Sequence, residues 1–335
     1  MYLTRRTFGR TILAAGVAAT VPVAARAQAA KYRLRYGTAF PNNHPGVVRI
    51  IEASEAIKAG TNGLVDLQVY PNSQLGSEAD MFAQTRSGAL DFMSTSGVNQ
   101  TLVPVGGINA VAFAFESYAQ VWAAMDGQLG DHVRQSFAKV GLHVFPKCLD
   151  NGYRNITSSV KPIVSPEDLK GFKIRVPGNP LWVTLFKTLG AAPTPINFGE
   201  LYAALQTHIV DGEENPMALI RSAKLYEVQK FISLSGHIWD GHHIFANMPK
   251  WTGLPEEVRT VVTAALTAAA EKERADILRF NEEAITEIKA TGVAFNQVDT
   301  KPFRDALHAG GFYGEWKAKF GAEAWALMEK YVGTL

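Results

Sequence analysis

The sequence holds one cysteine in 335 residues. A single thiol closes no internal disulfide, so the disulfide-framework class is excluded. Gly is 29 and Pro is 16, which excludes collagen-like and low-complexity chains. An excess of one charge is missing too. Lys+Arg is 33 against Asp+Glu 31, a formal net charge of +2. That offers no broad field for nucleic acid or an anionic membrane. There is no Gly-x-Ser-x-Gly elbow, no Gly-x-x-x-x-Gly-Lys phosphate loop, no Gly-x-Gly-x-x-Gly turn and no His-Glu-x-x-His pair. These absences move the balance from catalysis towards binding.

Membrane-spanning runs are also wanting. Phe92–Phe115 is 24 residues without a formal charge, but it contains Gly97, Asn99, Gln100, Pro104, Gly106, Gly107 and Asn109. A spanning helix would leave those polar groups and breakers in hydrocarbon. The segment reads instead as buried strand, pocket loop, then strand.

What is present suits a sizeable core: 47% hydrophobic and 10% aromatic residues. The length fits two domains or one large α/β unit. Residues 1–27 carry Arg5, Arg6, Arg10 and Arg26 and no acid. The uncharged run Thr11–Ala25 is 15 residues, short for a bilayer, and ends in Ala25-Arg26-Ala27. This is the pattern of an export signal cleaved before Gln28, or after Ala29. Thr4-Arg5-Arg6-Thr7-Phe8-Gly9-Arg10 resembles a twin-arginine (Tat) signal; the alternative is a Sec signal with adjacent arginines. Without residues 1–27, Lys+Arg falls from 33 to 29 against 31 acids, so the mature chain is at −2. Cys148 lies in the apolar stretch Leu142–Leu149 and reads as a buried strand residue.

Period and punctuation give the elements. Strands are predicted near Tyr32–Thr38, Val65–Tyr70, Leu90–Met93 and Ala110–Phe115. Helices follow through Val47–Ile57, from the Ser77 cap to Gly88, and over Tyr118–Val140. The pattern then repeats, with strands near Leu142–Lys147, Tyr153–Thr157, Lys173–Val176, Ala192–Thr194, Val210–Gly212, Phe231–Ser235 and His242–Ala246. Helices are predicted near Leu181–Leu189 and Phe198–Thr207. Alternating order of this kind implies a mostly parallel sheet with helices on both faces. Pro255 to about Ala290 reads as one long helix of roughly 54 Å at 1.5 Å per residue. Its apolar positions hold no heptad, so it braces two lobes rather than forming a coiled coil.

Lone polar groups inside apolar runs mark candidate ligand contacts. Arg175 sits in Gly171-Phe172-Lys173-Ile174-Arg175-Val176-Pro177, at a strand's C-terminal end where α/β proteins bind ligands. A guanidinium there is either a fork for a carboxylate or the partner of an internal acid. Arg154, in Gly152–Thr157, is a second candidate or a surface strand arginine. Asn215 orients a carboxylate or hydroxyl, or is a turn residue before Pro216. Phe198 and Trp239 are ligand walls or core. The pair Glu213 and Glu214 reads as one solvated carboxylate and one bonded to backbone. His237, His242 and His243 are weak metal candidates, with His242 and His243 on opposite faces of a strand.

At this point the chain resembles the solute-binding proteins of TRAP (tripartite ATP-independent periplasmic) transporters, the DctP type. The resemblance rests on Tyr70-Pro71-Asn72-Ser73-Gln74-Leu75-Gly76, Gly88-Ala89-Leu90-Asp91-Phe92 and Asp168–Pro177. It continues through Pro193-Thr194-Pro195, Ala203-Ala204-Leu205-Gln206-Thr207, Val210–Pro216 and Tyr226-Glu227-Val228-Gln229-Lys230. It covers essentially the whole mature chain, in order.

The resemblance implies an α/β fold of the two-lobed periplasmic-binding-protein type, class II-like. Each lobe is a sheet flanked by helices, and a long helix spans both. The expected division is 28–152 plus about 241–280 for lobe I, and 153–240 plus about 281–335 for lobe II. The implied protein is a periplasmic receptor, not an enzyme, working as a monomer that hands a small organic acid to TRAP permease subunits. A periplasmic enzyme on a similar fold, or a receptor for an ATP-driven importer or a sensor, is the alternative. The resemblance places the ligand carboxylate on Arg175, with Arg154, Asn215 and Phe198 beside it. The sialate-binding branch has an acid and an arginine after the Asp-Phe strand; here those places are Ser96 and Asn99. The expected ligand is therefore smaller and more apolar, aliphatic or aromatic, covered by Phe198 and Trp239. No metal or other cofactor is expected, with Trp239-Asp240 the nearest metal candidate.

Overall fold

The computed structural model describes residues 30–335, and the expected export signal at 1–27 lies outside the described residues. One strand organises the rest. The apolar segments predicted as separate strands at Phe231–Ser235 and His242–Ala246 are joined into a single 17-residue strand, Phe231–Asn247. It is long enough to belong to two sheets, and it does.

The first half of the chain runs β1 (Tyr32–Thr38), α1 (Pro45–Gly60), β2 (Val65–Tyr70), α2 (Glu78–Ser87) and β3 (Phe92–Thr95). Then come two 3₁₀ turns (Asn99–Thr101, Pro104–Ala110), α3 (Tyr118–Met125), α4 (Gln128–Ala138), β4 (Leu142–Val144) and β5 (Leu149–Ser158). The second half runs β6 (Lys173–Val176), α5 (Pro180–Thr188), β7 (Ala192–Pro195), α6 (Phe198–Gln206), β8 (Gly212–Pro216), α7 (Met217–Ser222) and β9 (Phe231–Asn247). It closes with α8 (Met248–Thr252), α9 (Glu256–Ala290), β10 (Ala294–Gln297), α10 (Lys301–Ala309), α11 (Phe312–Phe320) and α12 (Ala322–Val332).

Strand order is β2-β1-β3-β9-β5-β8-β6-β7, with β4 and β10 also on β9. The outer strands are parallel, as the alternating pattern predicts: β2, β1 and β3 on one side, β8, β6 and β7 on the other. The centre is not. β9 runs antiparallel to β3, β4 and β5, and β5 antiparallel to β8.

Other local expectations change as well. Ala110–Phe115 is no strand; a 3₁₀ turn ends at Ala110, and Phe113 takes a left-handed φ of 55°. The run is buried on all sides, and burial on every side erases the period that separates strand from helix. The predicted helix Tyr118–Val140 is two, broken at Asp126–Gly127. The caps hold. Ser77 forms a capping box with Asp80, and Gly88 ends α2 at φ 83°.

The long helix is present over 35 residues, about 52 Å at 1.5 Å each. Val258, Val262, Leu266, Ala269 and Ala270 join the hydrophobic group of β1, β2 and α1. Ala284 and Ile288 join that of α6, α7 and the start of β9. It therefore braces both lobes. Cys148 is buried and free, and burial pushes its thiol up to about 12.

Trp239 belongs to this core rather than to a ligand wall. It is 2% exposed. Its ring meets Trp122 at 5.3 Å and Phe115 at 6.4 Å, and Nε1 donates to Asp150 Oδ1 at 2.9 Å. Trp239→Ala is expected to destabilise the protein by about 3–5 kcal/mol, measured by urea unfolding. A change below about 1 kcal/mol would return Trp239 to the list of ligand contacts.

Candidate functional site

Topology brings the chemistry together. In parallel sheets the strand C-termini open on one crevice, and the helices that follow start there. Here β1 ends at Ala39 and Phe40, β3 at Ser96 and Gly97, β6 at Arg175 and Pro177, and β8 at Asn215. The N-terminal ends of α2 (Glu78) and α6 (Phe198) face the same space. With Arg154 of β5, Asp240 and His242 of β9, and Leu219 of α7, they line a narrow cavity of about 30 Å³ between the lobes.

Arg175 is 2% exposed. Its Nε donates to the Ile196 carbonyl at 2.8 Å, and the guanidinium lies 6.0 Å from the Phe198 ring centre. Among the described residues no carboxylate comes within ion-pair reach of it. Burial dominates its titration and pulls it down to about 10, although Glu213 and Glu214 partly oppose this. A buried cation that lacks a counter-ion and faces a cavity is chemically an anion receptor.

Arg154 differs in kind. It is a buried arginine, not a surface one, and its counter-ions are internal. Nε and Nη2 donate to Glu214 Oε2 and Oε1 at 2.5 and 2.8 Å, and Nη1 donates to Asp240 Oδ2 at 2.5 Å. Nη2 also reaches Asn215 Oδ1 at 3.0 Å, and the guanidinium lies 5.5 Å from the Trp182 ring centre. Burial alone would raise both carboxyls. The Arg154 charge outweighs it and holds Glu214 and Asp240 below the usual carboxylate range.

The reading of Glu213 and Glu214 as one solvated and one backbone-bonded acid is corrected: both are fully buried. Glu214 also takes His237 Nε2 at 3.1 Å and Trp182 Nε1 at 3.3 Å. Glu213 takes the Thr157 hydroxyl at 3.0 Å and Asn215 Nδ2 at 2.5 Å. Burial, then Glu214, pushes Glu213 up to about 7. Both ends of the Asn215 amide are thus held by protein.

Of the residues singled out by sequence, Arg175, Arg154, Asn215, Phe198 and Ser96 line the cavity. Trp239 and Asn99 do not. Asn99 is buried, and its Nδ2 donates to the Thr95 carbonyl at 3.2 Å. Glu78 and Phe40 were not foreseen, and His242 was named only as a weak metal candidate. Glu78 stands directly after the Ser77 cap and accepts from Thr95 Oγ1 at 2.8 Å. An acid beside a cap was a usable signal, because a helix start in this fold points at the crevice. As expected, His242 and His243 face opposite ways; only His242 reaches the cavity. Among the described residues no three His, Cys, Asp or Glu side chains are grouped to hold a metal ion.

A second tier supports these walls. His44 caps α1, its Nδ1 accepting from the Gly46 N–H at 3.1 Å, so Nε2 carries the proton and donates to Asn151 Oδ1 at 3.1 Å. Asn151 Nδ2 donates in turn to Asp240 Oδ2 at 2.8 Å. Burial keeps His44 neutral, down at about 3. The His44 ring stacks on Phe40 at 3.9 Å, and Phe40 lies 4.2 Å from His242.

Arg154→Met leaves Glu214 and Asp240 buried without their cation, and the expected cost is about 3–5 kcal/mol at neutral pH. The sign of the pH effect follows. Both carboxyls would then rise above their unfolded values, so the variant is most stable below about pH 4 and weakens as pH rises. Urea unfolding from about pH 4 to pH 7 should show a steeper fall than in the wild type. Parallel profiles would contradict the assignment.

The family model for DctP, bacterial extracellular solute-binding protein family 7, matches residues 36–310. The 2,3-diketo-L-gulonate-binding periplasmic protein YiaO of Escherichia coli (strain K12) is 32% identical over 277 residues, 82% of this chain and 84% of that one. The crystal structure of a TRAP periplasmic solute-binding protein from Roseobacter denitrificans with bound L-galactonate superposes with a TM-score of 0.84 at 29% identity. The match covers 91% of this chain and 99% of that one. A second, from Polaromonas with bound D-erythronate, gives 0.85 at 31% identity, covering 89% of this chain and 98% of that one. These matches bear out the two-lobed α/β fold expected from the resemblance. With the family model matched over most of its length, the chain belongs to the DctP family of extracellular solute-binding proteins, the solute receptors of TRAP transporters.

Proposed function

We propose that this protein is a periplasmic receptor that closes on a small hydroxylated carboxylate and passes it, chemically unaltered, to TRAP permease subunits. Arg175 carries the reading. It is a buried, unpaired guanidinium at the cavity, and a bidentate carboxylate is the group that completes its fork. The lobes proposed are 28–152 with about 241–280 and 153–240 with about 281–335, hinged where β5, β9 and α9 cross. Closure excludes water and strengthens the ion pair in the lower dielectric.

The far wall supports hydroxyl groups on the ligand, in place of the more apolar acid anticipated from sequence. Glu78 and Asp240 line it beside Ser96 and His242. Ionised carboxylates only accept hydrogen bonds, so the facing part of the ligand must donate. Phe40, Phe198 and Leu219 cover its carbon skeleton. The relatives crystallised with L-galactonate and D-erythronate hold acids of this type.

Two measurements test the reading. Mass spectrometry of solute released from the purified protein should return an intact hydroxy acid; a processed product would favour the enzyme alternative. A thermal-shift panel that includes L-galactonate, D-erythronate, D-glucuronate and succinate should contain a stabilising acid. Arg175→Met should weaken calorimetric binding of that acid by about 2–5 kcal/mol, and Arg175→Lys should fail similarly for want of a fork. Because the ligand-free protein buries an uncompensated charge at Arg175, Arg175→Met should also raise its unliganded melting temperature. Unchanged affinity in Arg175→Met overturns the assignment.

A further inference from the structure

The middle of α9 holds a pair of acids that the ligand cavity does not use. Glu273 stands halfway along the helix and is fully buried, as is Asp150 at the start of β5. The Asp150 N–H donates to Glu273 Oε2 at 2.8 Å, which sets the Glu273 carboxylate beside the Asp150 backbone. Asp150 Oδ1 accepts from the Gly152 N–H and from Trp239 Nε1, each at 2.9 Å. Glu273 Oε1 is left buried, without a hydrogen-bond partner among the described residues, and the only further donor beside the Asp150 carboxyl is the neutral Tyr118 hydroxyl.

Arg274, next along α9, faces the pair. Its Nη1 and Nη2 bind Asp126 at 2.8 and 3.0 Å, Lys147 shares that acid, and the Arg274 charge only partly offsets burial at Asp150 and Glu273. Asp276 is held by Arg49 of α1 and by Arg279. Tyr36 of β1, Tyr118 of α3, and Tyr153 and Cys148 of or beside β5 face the site, and burial pushes each of them up. They therefore remain neutral near pH 7. Asp240 and His242 of β9 belong to the Arg154 network. Two ionised carboxylates here would repel each other, and the one cation facing them, Arg274, is already paired with Asp126. Burial accordingly drives Asp150 up to about 7 and Glu273 well above its usual range.

The place matters as much as the chemistry. The register of β5 on β9 slips between Asp150 and Gly152, and Gly152 adopts φ 100°. A Cβ at Gly152 would come within 2.9 Å of Asn281 Nδ2 on α9. The helix that braces both lobes therefore rests on the bend of the strand that passes between them.

We propose that the buried Asp150 and Glu273 pair retains a proton at neutral pH that keeps the midpoint of α9 seated on the bend of β5, so that the interlobe hinge loosens as pH rises. The clamp is independent of which acid the receptor binds; only its effect on solute retention rests on the receptor reading. The sign is fixed by linkage. The folded state keeps a proton that the unfolded chain gives up near pH 4, so stability is greatest below that and falls until the folded pair ionises. Glu213 titrates in the same window, so the difference between variants is the readout rather than the wild-type slope.

The test uses the ligand-free mature chain, and therefore cannot fail through a wrong choice of solute. Trp239 donates to Asp150 and reports its ionisation. Tryptophan emission followed from about pH 5 to pH 9 should show a transition in the wild type that disappears in Trp239→Phe. In Glu273→Gln it should move at least about one pH unit lower, because Asp150 no longer faces a second acid. Hydrogen exchange of the β5 amides at the bend, corrected for intrinsic rate, should rise across the same transition in the wild type. A flat wild-type emission profile, or an unmoved transition in Glu273→Gln, overturns the proposal. If Glu273→Gln does not fold, the wild type against Trp239→Phe still decides.

Discussion

Arg154 is the interaction on which the site depends. It is a guanidinium with almost no access to water, and a charge so placed persists only when neutral or anionic protein groups take every available donor. Glu214 of β8 and Asp240 of β9 supply its counter-charges, and Asn215 takes a further donor. One side chain of β5 thereby ties together three strands at the join between the lobes. It also removes the two nearest acids from circulation. Arg175, one strand further out, is left with a single carbonyl for its Nε. The same acid given to the wrong arginine would make a stable protein with nothing for a carboxylate to bind. Receptor chemistry here is a matter of how carboxylates are distributed between two buried cations.

The fold explains why that distribution is possible. Parallel strands deliver Arg175 and Asn215 to the crevice from one lobe, and Phe40 and Ser96 from the other. Antiparallel β9 delivers Asp240 and His242 from the strand common to both. The cavity wall is therefore not a patch on either lobe. Second-tier contacts cross the same boundary: His44 caps a helix of one lobe, and Asn151 carries its hydrogen bond to Asp240 beside Arg154. The start of α1 is thus linked to Arg154 through three successive hydrogen bonds.

Much of this was legible in the sequence, and the failures share a cause. Arg175 before Pro177, Asn215 before Pro216, the Ser77 cap and the long helix ending near Ala290 are all local signals. A strand end, a turn, a cap and an uninterrupted helical period need only a few neighbours to be read. Trp239 and Glu214 are decided by residues far away in the chain. Trp239 looked like a ligand wall because loop signals flank it, but Trp122 and Asp150 claim it from other elements. Glu214 looked like half of a solvated pair because no sequence rule shows that Arg154 lies opposite. Phe113 was misassigned for a related reason: a run buried on every side has no polar face to set its period. The wall formed by Glu78 and His242 was hidden in the same way, since each gains meaning only when the strand ends converge.

Two buried clusters lie on opposite accounts of the same electrostatic problem. Arg175 is a cation short of an anion, and Asp150 with Glu273 are anions short of a cation. The obvious partners, Glu213 opposite Arg175 on β8 and Arg274 beside the acids, are held by Thr157 and Asn215 and by Asp126. Folding alone thus leaves both clusters incomplete, and the complement proposed for each is small: a carboxylate in one case, a proton in the other. Both complements act at the crossing of β5 and β9, the first where the lobes meet over the cavity, the second behind it where α9 rests on the bend. A receptor that had neutralised these groups internally would be more stable and would have no physical reason to close.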